Sequence, residues 1–131
     1  MGADIELYCS LKNVRSELTR WNQPCEDFVD VVAICDVDFV ALMTAQKLHP
    51  KAQVYSDYRE MFKIIGNDID AVIVSTPDHT HAPASMMAME FGKAVYCQKP
   101  LTHHVSEARA MQRLAKEKNL VTQMGIQVEQ I

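Results

Sequence analysis

Short apolar runs typical of buried β-strands alternate with segments of helical periodicity from residue 27 onward, and this alternation constrains the fold more than any other feature. The apolar runs are Val29–Cys35, Ala52–Tyr55, Ala71–Ser75, Ala94–Cys97 and Leu120–Gln123. The clearest helical segments between them are Tyr58–Ile65, Thr80–Phe91 and Val105–Lys118. Strands separated by helices of about 10–15 residues cannot be hairpin neighbours, so they pair in parallel. Residues 27–131 are therefore predicted to form a doubly wound α/β domain with helices on both faces of the sheet.

The helical spacing also predicts which side chains of each helix face the sheet. For the segment after Cys35 the apolar positions are Val37, Val40, Ala41, Thr44 and Leu48. For the two later helices they are Ala82, Met86 and Met89, and then Val105, Ala108, Met111 and Ala115. Thr80 is expected to cap the start of the middle helix, and Gly92 to lie just past its end.

The first 26 residues do not follow this alternation and are treated as a separate N-terminal segment. Apolar residues recur there at steps of three and four, which predicts one amphipathic helix ended by Pro24; they are Leu7, Leu11, Val14, Leu18 and Trp21. Residues 5–11 also alternate with period two, so a strand over Ile5–Cys9 followed by a short helix is the alternative. The helix is the favoured prediction.

The charge balance is mildly acidic, with 13 Lys and Arg against 17 Asp and Glu and a net charge of −4. Without a basic stripe to displace counterions, nucleic acid and anionic lipid are not expected as partners. No apolar run approaches the roughly 18 residues of a membrane span, and the N-terminus lacks the pattern of a signal peptide. The four cysteines form no C-x-x-C pair, which favours a reduced, cytoplasmic protein over a disulfide framework.

Ligands of a doubly wound sheet bind where the parallel strands end, so the residue after each strand is a candidate for chemistry. Asp36 follows the strand Val29–Cys35. In a dinucleotide-binding fold, a carboxylate here accepts hydrogen bonds from the adenosine ribose hydroxyls and repels a 2′-phosphate. Phe39 and Val40 come next rather than an Arg, which favours NAD over NADP. The alternative is that Asp36 or Asp38 only caps the next helix.

The second candidate is the polar segment S-T-P-D-H-T-H at residues 75–81, which follows the strand Ala71–Ser75. Its hydroxyls and backbone amides lead into a helix N-terminus, which is a suitable site for a phosphate or a ribose. Pro77 fixes one backbone dihedral there and removes a competing donor. His79 and His81 form an H-x-H pair, but no third and fourth ligand falls at a known spacing, so no metal is expected.

The third candidate is Gln98-Lys99-Pro100, which follows the strand Ala94–Cys97. Because the residue before a proline is pushed out of the helical region, Lys99 is expected to be extended at the end of the strand. A lysine in this place could exchange a proton with a substrate hydroxyl while a hydride leaves the same carbon. The alternative is a surface lysine in a loop.

Together, D-V-D at 36–38, S-T-P-D-H-T-H at 75–81 and Q-K-P-L-T-H at 98–103 resemble the nucleotide-binding domain of the glucose–fructose oxidoreductase/inositol dehydrogenase (Gfo/Idh/MocA) family. The resemblance runs from about residue 29 to residue 127. It implies a Rossmann domain followed by a larger α/β domain, and the use of NAD(H) or NADP(H). It also implies oxidation or reduction of sugars, inositols and related compounds, while some members cleave glycosides through a transient oxidation.

The resemblance implies roles for individual residues. Asp36 matches the ribose-binding acid, and Lys99 matches the lysine of the family's E-K-P motif, which contacts the nicotinamide region and the substrate. Lys99 is therefore the expected catalytic residue. Gln98 stands where that motif has a glutamate. The other residues expected to bind the cofactor are Ser75, Thr76, Pro77, His79, His81, Pro100 and Gln127, the last in a segment that passes beside the nicotinamide.

Two departures from the family pattern are expected to weaken cofactor binding. The family's first strand leads into G-x-G-x-x-G, whose backbone amides approach the pyrophosphate, whereas here only Gly2 precedes Gly66. That strand normally lies at the centre of the sheet. Without it, the two halves of the sheet must pair directly, recruit residues 5–9 or borrow a strand from another chain. The chain also stops at Ile131, before the family's second domain, and a truncated copy is expected.

These features predict a fragment of an NAD-dependent oxidoreductase that transfers hydride between the nicotinamide and a sugar- or polyol-like substrate. The chain alone is expected to be weakly active or inactive. The alternatives are a non-catalytic α/β remnant or interaction module, and a fragment of an NAD-dependent glycoside hydrolase. The expected partners are the dinucleotide and a small substrate, and homo-oligomerisation is left open.

Overall fold

The computed structural model describes residues 7–9 and 30–125, which form a six-stranded sheet with four α-helices packed on it. The strands are β1 Leu7–Cys9, β2 Ala33–Cys35, β3 Gln53–Tyr55, β4 Ala71–Val74, β5 Ala94–Cys97 and β6 Thr122–Met124. The helices are α1 Phe39–Leu48, α2 Tyr58–Ile65, α3 His81–Glu90 and α4 Val105–Lys118. Short 3₁₀ turns at Gly66–Asp68 and Asp78–Thr80 follow α2 and precede α3.

The strand order is β3-β2-β1-β4-β5-β6, and the pairs β2–β3, β4–β5 and β5–β6 are parallel. The predicted α/β class and the parallel pairing of these strands are therefore confirmed. α2, β5 and α4 have the predicted bounds. β2 is shorter than its apolar run, because regular pairing with β1 and β3 spans only Ala33–Cys35.

The central strand runs against its neighbours. β1 pairs antiparallel with β2 and with β4, and Leu7 lies opposite both Cys35 and Val74. The favoured prediction of a helix is wrong for Leu7–Cys9, which form the alternative strand. The remainder of that predicted helix, residues 10–26, lies outside the described residues.

The direction of β1 has a physical reason in the sequence. The edges of β2 and β4 need partners for their backbone N–H and C=O groups, and a strand of either direction supplies them. A parallel strand would have to turn sharply into a helix at the ligand-binding edge, which glycines normally permit. The residues after Cys9 are Ser10-Leu11-Lys12-Asn13, without a glycine.

Helices cover both faces of the sheet. On one face, alternate residues of β2, β4 and β5 pack against α2, α3 and α4 in the main core; its fully buried members include Phe62, Met61, Val72, Val74 and Met89. Ile34 points to the opposite face, where it packs against Leu42 and Ala45 of α1. This two-sided cover is the doubly wound arrangement that the alternation of strands and helices predicts.

Two predicted helix faces need correction. α1 buries Ala41, Leu42 and Ala45, whereas four of the residues predicted to face inward are exposed: Val37, Val40, Thr44 and Leu48. Val37 precedes the helix, which begins at Phe39 after the cap Asp38, and the side of α1 that carries Val40, Thr44 and Leu48 lies away from the buried stripe. Val105, the first residue of α4, is likewise exposed.

The ends of the helices follow local chemistry. Gly92, at φ 78°, follows α3, and Asn119, at φ 52°, ends α4 in the left-handed conformation. Thr80 does not cap α3 with its side chain as predicted, because its hydroxyl donates to the Pro77 carbonyl at 2.8 Å. Within the described residues, no helix has the length and apolar character needed to cross a membrane.

Candidate functional site

The ends of five strands form one row across the sheet. The pairing register aligns Tyr55, Cys35, Val74, Cys97 and Met124 in order, with Leu7 between the second and the third. The residues that follow the ends of β2, β4, β5 and β6 therefore share one edge of the sheet. We call this edge the rim; its residues are Asp36, Ser75, Gln98 and Gly125. The predicted meeting of Asp36, the Thr76–His81 segment and Lys99 along a single edge is confirmed by this register.

Asp36 is a buried carboxylate with one unpaired oxygen. Its side chain is 9% exposed, and Oδ1 accepts a hydrogen bond from the Asp38 N–H at 2.8 Å. Oδ2 is buried and has no partner within the described residues. The capping role belongs to Asp38, which accepts from the N–H groups of Val40 and Ala41 at 2.9 and 3.3 Å. A buried carboxylate oxygen needs a donor, so Asp36 is suited to accept from a ligand hydroxyl.

The segment after β4 presents a second unpaired acceptor. Oγ1 of Thr76 is buried and without a partner within the described residues. The Pro77 carbonyl accepts from the Thr80 N–H at 2.9 Å, which holds the segment in its 3₁₀ turn before α3. Ser75 is half-buried, and the side chain of His79 is exposed.

His81 links two loops of the rim. Its ring is 1% exposed; Nδ1 lies 2.6 Å from the Pro100 carbonyl oxygen, and Nε2 lies 2.6 Å from the Thr76 carbonyl oxygen. Carbonyl oxygens only accept hydrogen bonds, so a ring nitrogen that carries a proton is the donor in such a contact. With both nitrogens engaged by backbone, we expect His81 to position the loops rather than to contact a cofactor as the family resemblance implies.

The loop after β5 holds Lys99 by its backbone. The Gln98 N–H donates to the Val74 carbonyl at 2.9 Å, and Gln98 Oε1 accepts from the Lys99 N–H at 2.9 Å. The side chain of Lys99 is exposed, and so is Pro100, to which it is joined by a cis peptide bond. The backbone of Lys99 is therefore held at the rim, and its side chain is exposed there.

Gly125 is a rim residue that the sequence predictions did not single out. Its N–H donates to the Cys97 carbonyl at 2.7 Å, and a Cβ at this position would lie 2.4 Å from Gln98 Oε1. A side chain at this position would require the amide group of Gln98, which accepts from the Lys99 N–H, to move. A glycine directly after an edge strand was the available signal. Gln127, predicted to lie beside the nicotinamide, is outside the described residues.

The rim is negatively charged at the end of β2. Burial, followed by the nearby charges of Asp57 and Asp36, raises the pKa of the Cys35 thiol to about 12. Asp57 forms an exposed ion pair with Arg59 at 2.9 Å, and hydrogen bonds from Arg59 lower the pKa of this carboxyl. Among residues 7–9 and 30–125, no group of three or more His, Cys, Asp and Glu side chains is placed to hold a metal ion.

An apolar groove of about 450 Å³ opens beside the rim, between α4 and the β5–β6 edge. Its lining includes Met89, Val95, Leu101, Met111 and Leu120. Asp36, Thr76 and Lys99 are not among the lining residues. The candidate site is thus the open rim rather than this groove.

The sequence is similar to those of known oxidoreductases. The oxidoreductase family with an NAD-binding Rossmann fold (GFO_IDH_MocA) matches residues 12–126. Levoglucosan dehydrogenase of Pseudarthrobacter phenanthrenivorans is 41% identical over 66 residues, 50% of this chain and 16% of that protein. A glycosyl hydrolase family 109 protein of Shewanella pealeana is 38% identical over 89 residues, 62% of this chain and 19% of the relative.

Comparison of the fold with solved structures also finds a dehydrogenase. The crystal structure of myo-inositol 2-dehydrogenase from Lactobacillus plantarum superposes with a TM-score of 0.68 at 29% identity, covering 75% of this chain and 29% of that one. The chain spans less than a third of each of these proteins. Because the family match extends over most of the chain and the rim carries the family's motifs, the chain belongs to the Gfo/Idh/MocA family of oxidoreductases with an NAD-binding Rossmann fold.

Proposed function

We propose that this chain is the cofactor-binding part of an NAD-dependent oxidoreductase that acts on a CH–OH group of a sugar or polyol. The observation that carries the proposal is the single rim shared by Asp36, whose Oδ2 has no partner among the described residues, and the exposed Lys99. The names of a levoglucosan dehydrogenase and a myo-inositol 2-dehydrogenase among the relatives support the substrate class.

Asp36 is proposed to hold the adenosine ribose. Its Oδ1 is already used by the Asp38 N–H, so the free Oδ2 is the acceptor for the ribose hydroxyls. A 2′-phosphate would place like charge against this buried carboxylate, and the next side chains, Val37 and Phe39, offer no cation to neutralise it. NAD is therefore proposed over NADP.

Lys99 is proposed to move the proton of the substrate hydroxyl. The hydrogen bond from its N–H to Gln98 fixes where the side chain starts, and its exposed Nζ can reach a ligand above the rim. A bound nicotinamide supplies the hydride acceptor or donor. Lys99 Nζ would take the hydroxyl proton in oxidation and return it in reduction. Thr76, Ser75, Pro77 and Pro100 would line the same end of the rim.

The chain spans less than a third of its relatives, and the described residues include no second domain to enclose a substrate. We therefore propose nucleotide binding with little or no turnover for this chain by itself. A reducing, cytoplasmic location is also proposed, because Cys35 and Cys97 are buried free thiols.

A second candidate is glycoside cleavage through transient oxidation, which the similarity to the glycosyl hydrolase family 109 protein favours. The same rim would serve it, because this route also begins with hydride removal from a sugar carbon. Release of sugar from a glycoside without net reduction of added NAD would distinguish it from a dehydrogenase.

The proposal is tested by titrating the chain with NADH up to millimolar concentration and following NADH fluorescence. We expect weak binding that Asp36→Asn reduces at least tenfold, because the amide group replaces one acceptor oxygen with a donor. Glu117→Gln, on the exposed surface of α4, removes the same charge and should leave the affinity unchanged.

The outcomes separate the alternatives. Absence of NADH binding at millimolar concentration would overturn the cofactor proposal and favour a non-catalytic module. Binding that is unaffected by Asp36→Asn would remove Asp36 from the site.

A further inference from the structure

The centre of the rim, between Asp36 and Ser75, is the place where the reversed strand changes what can bind. A parallel first strand would end here, and the turn into the next helix would direct backbone N–H groups at a diphosphate. In this chain β1 ends at the opposite edge of the sheet, because Cys9 pairs with Ala33 at the start of β2. Leu7, the amino end of β1, therefore lies at the rim in place of the carboxyl end of a strand.

The N-termini of α1 and α2, on either side of the end of β2 in sequence, do not replace the missing donors. In α1 the N–H groups of Val40 and Ala41 donate to the Asp38 carboxylate. In α2 the N–H of Arg59 donates to the Asp57 carboxylate at 2.9 Å. These donors, which could otherwise bind an anion, are occupied by carboxylates of the chain itself.

The charge at this part of the rim has the wrong sign for a diphosphate. The carboxylates of Asp36, Asp38 and Asp57 lie around the end of β2, and Arg59 is already paired with Asp57. The raised pKa of Cys35 reports the same negative surroundings, since Asp57 and Asp36 contribute to it after burial. A diphosphate would be repelled rather than bound.

The same place suits a nucleoside. Oδ2 of Asp36 is a buried acceptor without a partner within the described residues, which a ribose diol would satisfy. Val37 and Phe39, next to it, are 91% and 71% exposed and offer apolar surface to a base. The described residues therefore fit the nucleoside part of the family's cofactor and do not fit its diphosphate.

We propose that the rim binds the ribose diol and base of a nucleoside and gains no affinity from a diphosphate. The ligand class assigned to the site is thus an uncharged nucleoside, with adenosine as the probe. This inference rests on the proposed function, since Asp36 holds the ribose in both. The family match begins at residue 12, after β1, which agrees with β1 not being the counterpart of the family's first strand.

The test compares adenosine with ADP on the same chain by isothermal titration or by NMR chemical-shift perturbation at low salt. We expect adenosine to bind at least as tightly as ADP, and Asp36→Asn to weaken adenosine at least tenfold. Asp38→Asn keeps the helix cap, because Asn caps as well as Asp, but removes one charge. It should tighten ADP about two- to threefold and leave adenosine unchanged.

Each other outcome overturns the inference. ADP binding ten times more tightly than adenosine would show that a diphosphate site exists, while leaving the proposed function intact. An unchanged ratio of ADP to adenosine affinity in Asp38→Asn would contradict the role given to the acidic rim. Failure of adenosine, ADP and NADH to bind at millimolar concentration would overturn both this inference and the proposed function.

Discussion

His81 connects the loops after β4 and β5 through the carbonyl oxygens of Thr76 and Pro100. The residue is fully buried, so losing the ring would remove its contacts with both carbonyl groups and leave a cavity in its place. The loops that carry Thr76 and Lys99 are therefore held at a fixed separation by one side chain.

His81→Ala is expected to lower the free energy of unfolding by about 3 kcal/mol, because a buried acceptor left unpaired costs about 1–3 kcal/mol and the cavity adds to this. His79→Ala removes an exposed imidazole two residues away and should change it by less than about 0.5 kcal/mol. Urea unfolding followed by circular dichroism measures both. Equal losses for the two variants would contradict the linking role of His81.

Cys35 makes the stability of the fold sensitive to alkaline pH. Its thiol has a pKa of about 12 in the folded chain against an ordinary value of 9.0, because of burial and the charges of Asp57 and Asp36. Above about pH 9 the unfolded chain loses this proton while the folded chain keeps it. The folded state then binds more protons, so its stability is full below pH 9 and falls as the pH rises toward 12.

We expect Cys35→Ala to reduce this loss, by about 1 kcal/mol at about pH 10. Urea unfolding of both proteins at about pH 8 and about pH 10 gives the comparison. All other ionisable groups are common to the two proteins, so their contributions to the pH dependence cancel in the comparison. Identical pH dependence in the two proteins would show that Cys35 does not contribute.

At the level of elements, β1 decides what the sheet can do. Its three residues fill the position between β2 and β4, but in the direction opposite to the other strands. Pairing therefore completes the sheet without supplying a strand-to-helix turn at the rim. β1 therefore completes the sheet but does not contribute to ligand binding through such a turn.

Leu7→Cys tests the direction of β1. Leu7 lies directly opposite Cys35, and opposite residues in an antiparallel pair have Cα atoms about 4.5–5.5 Å apart, within the range of a disulfide. We expect oxidation of this variant to join the introduced thiol to Cys35, and peptide mapping identifies the bridge.

The wild-type chain is the control, because its Cys9 pairs with Ala33 at the far end of β2. A parallel β1 would instead bring Cys9 next to Cys35. A Cys9–Cys35 bridge in the wild type, without a bridge in Leu7→Cys, would contradict the antiparallel register.

The sequence predicts best those elements whose ends and buried side are both marked by nearby residues. α2 has Asp57 as its cap and an apolar stripe of Met61, Phe62 and Ile65, and its bounds agree with prediction. β5 lies between Gly92 and the polar Gln98, and its bounds agree too. The direction of β1 depends on pairing with strands more than twenty residues away, and short apolar alternation does not encode direction. α1 shows a smaller failure, since its buried stripe is Ala41, Leu42 and Ala45, whereas the apolar spacing also included exposed residues such as Leu48.

At the scale of the whole molecule, the site follows from topology more than from motifs. Parallel strands finish at one edge, so Asp36, Ser75 and Gln98 had to share a rim once the pairing of the strands was known. The partners of His81 could not be predicted, because they are backbone carbonyls brought near only by folding. The contact of Gly125 with Gln98 likewise joins two strand ends that are distant in sequence.

The sheet is also assembled from two parallel blocks, β2–β3 and β4–β5–β6, which meet in the sheet through the three residues of β1. On the helical side, the main core joins the same blocks, since α2 packs with residues of β2 and β4. Detachment of β1 would uncover the facing edges of β2 and β4 at the same moment. The slowest-exchanging amides of these two strands should therefore become accessible to deuterium as one cooperative unit, with β1 as its seam.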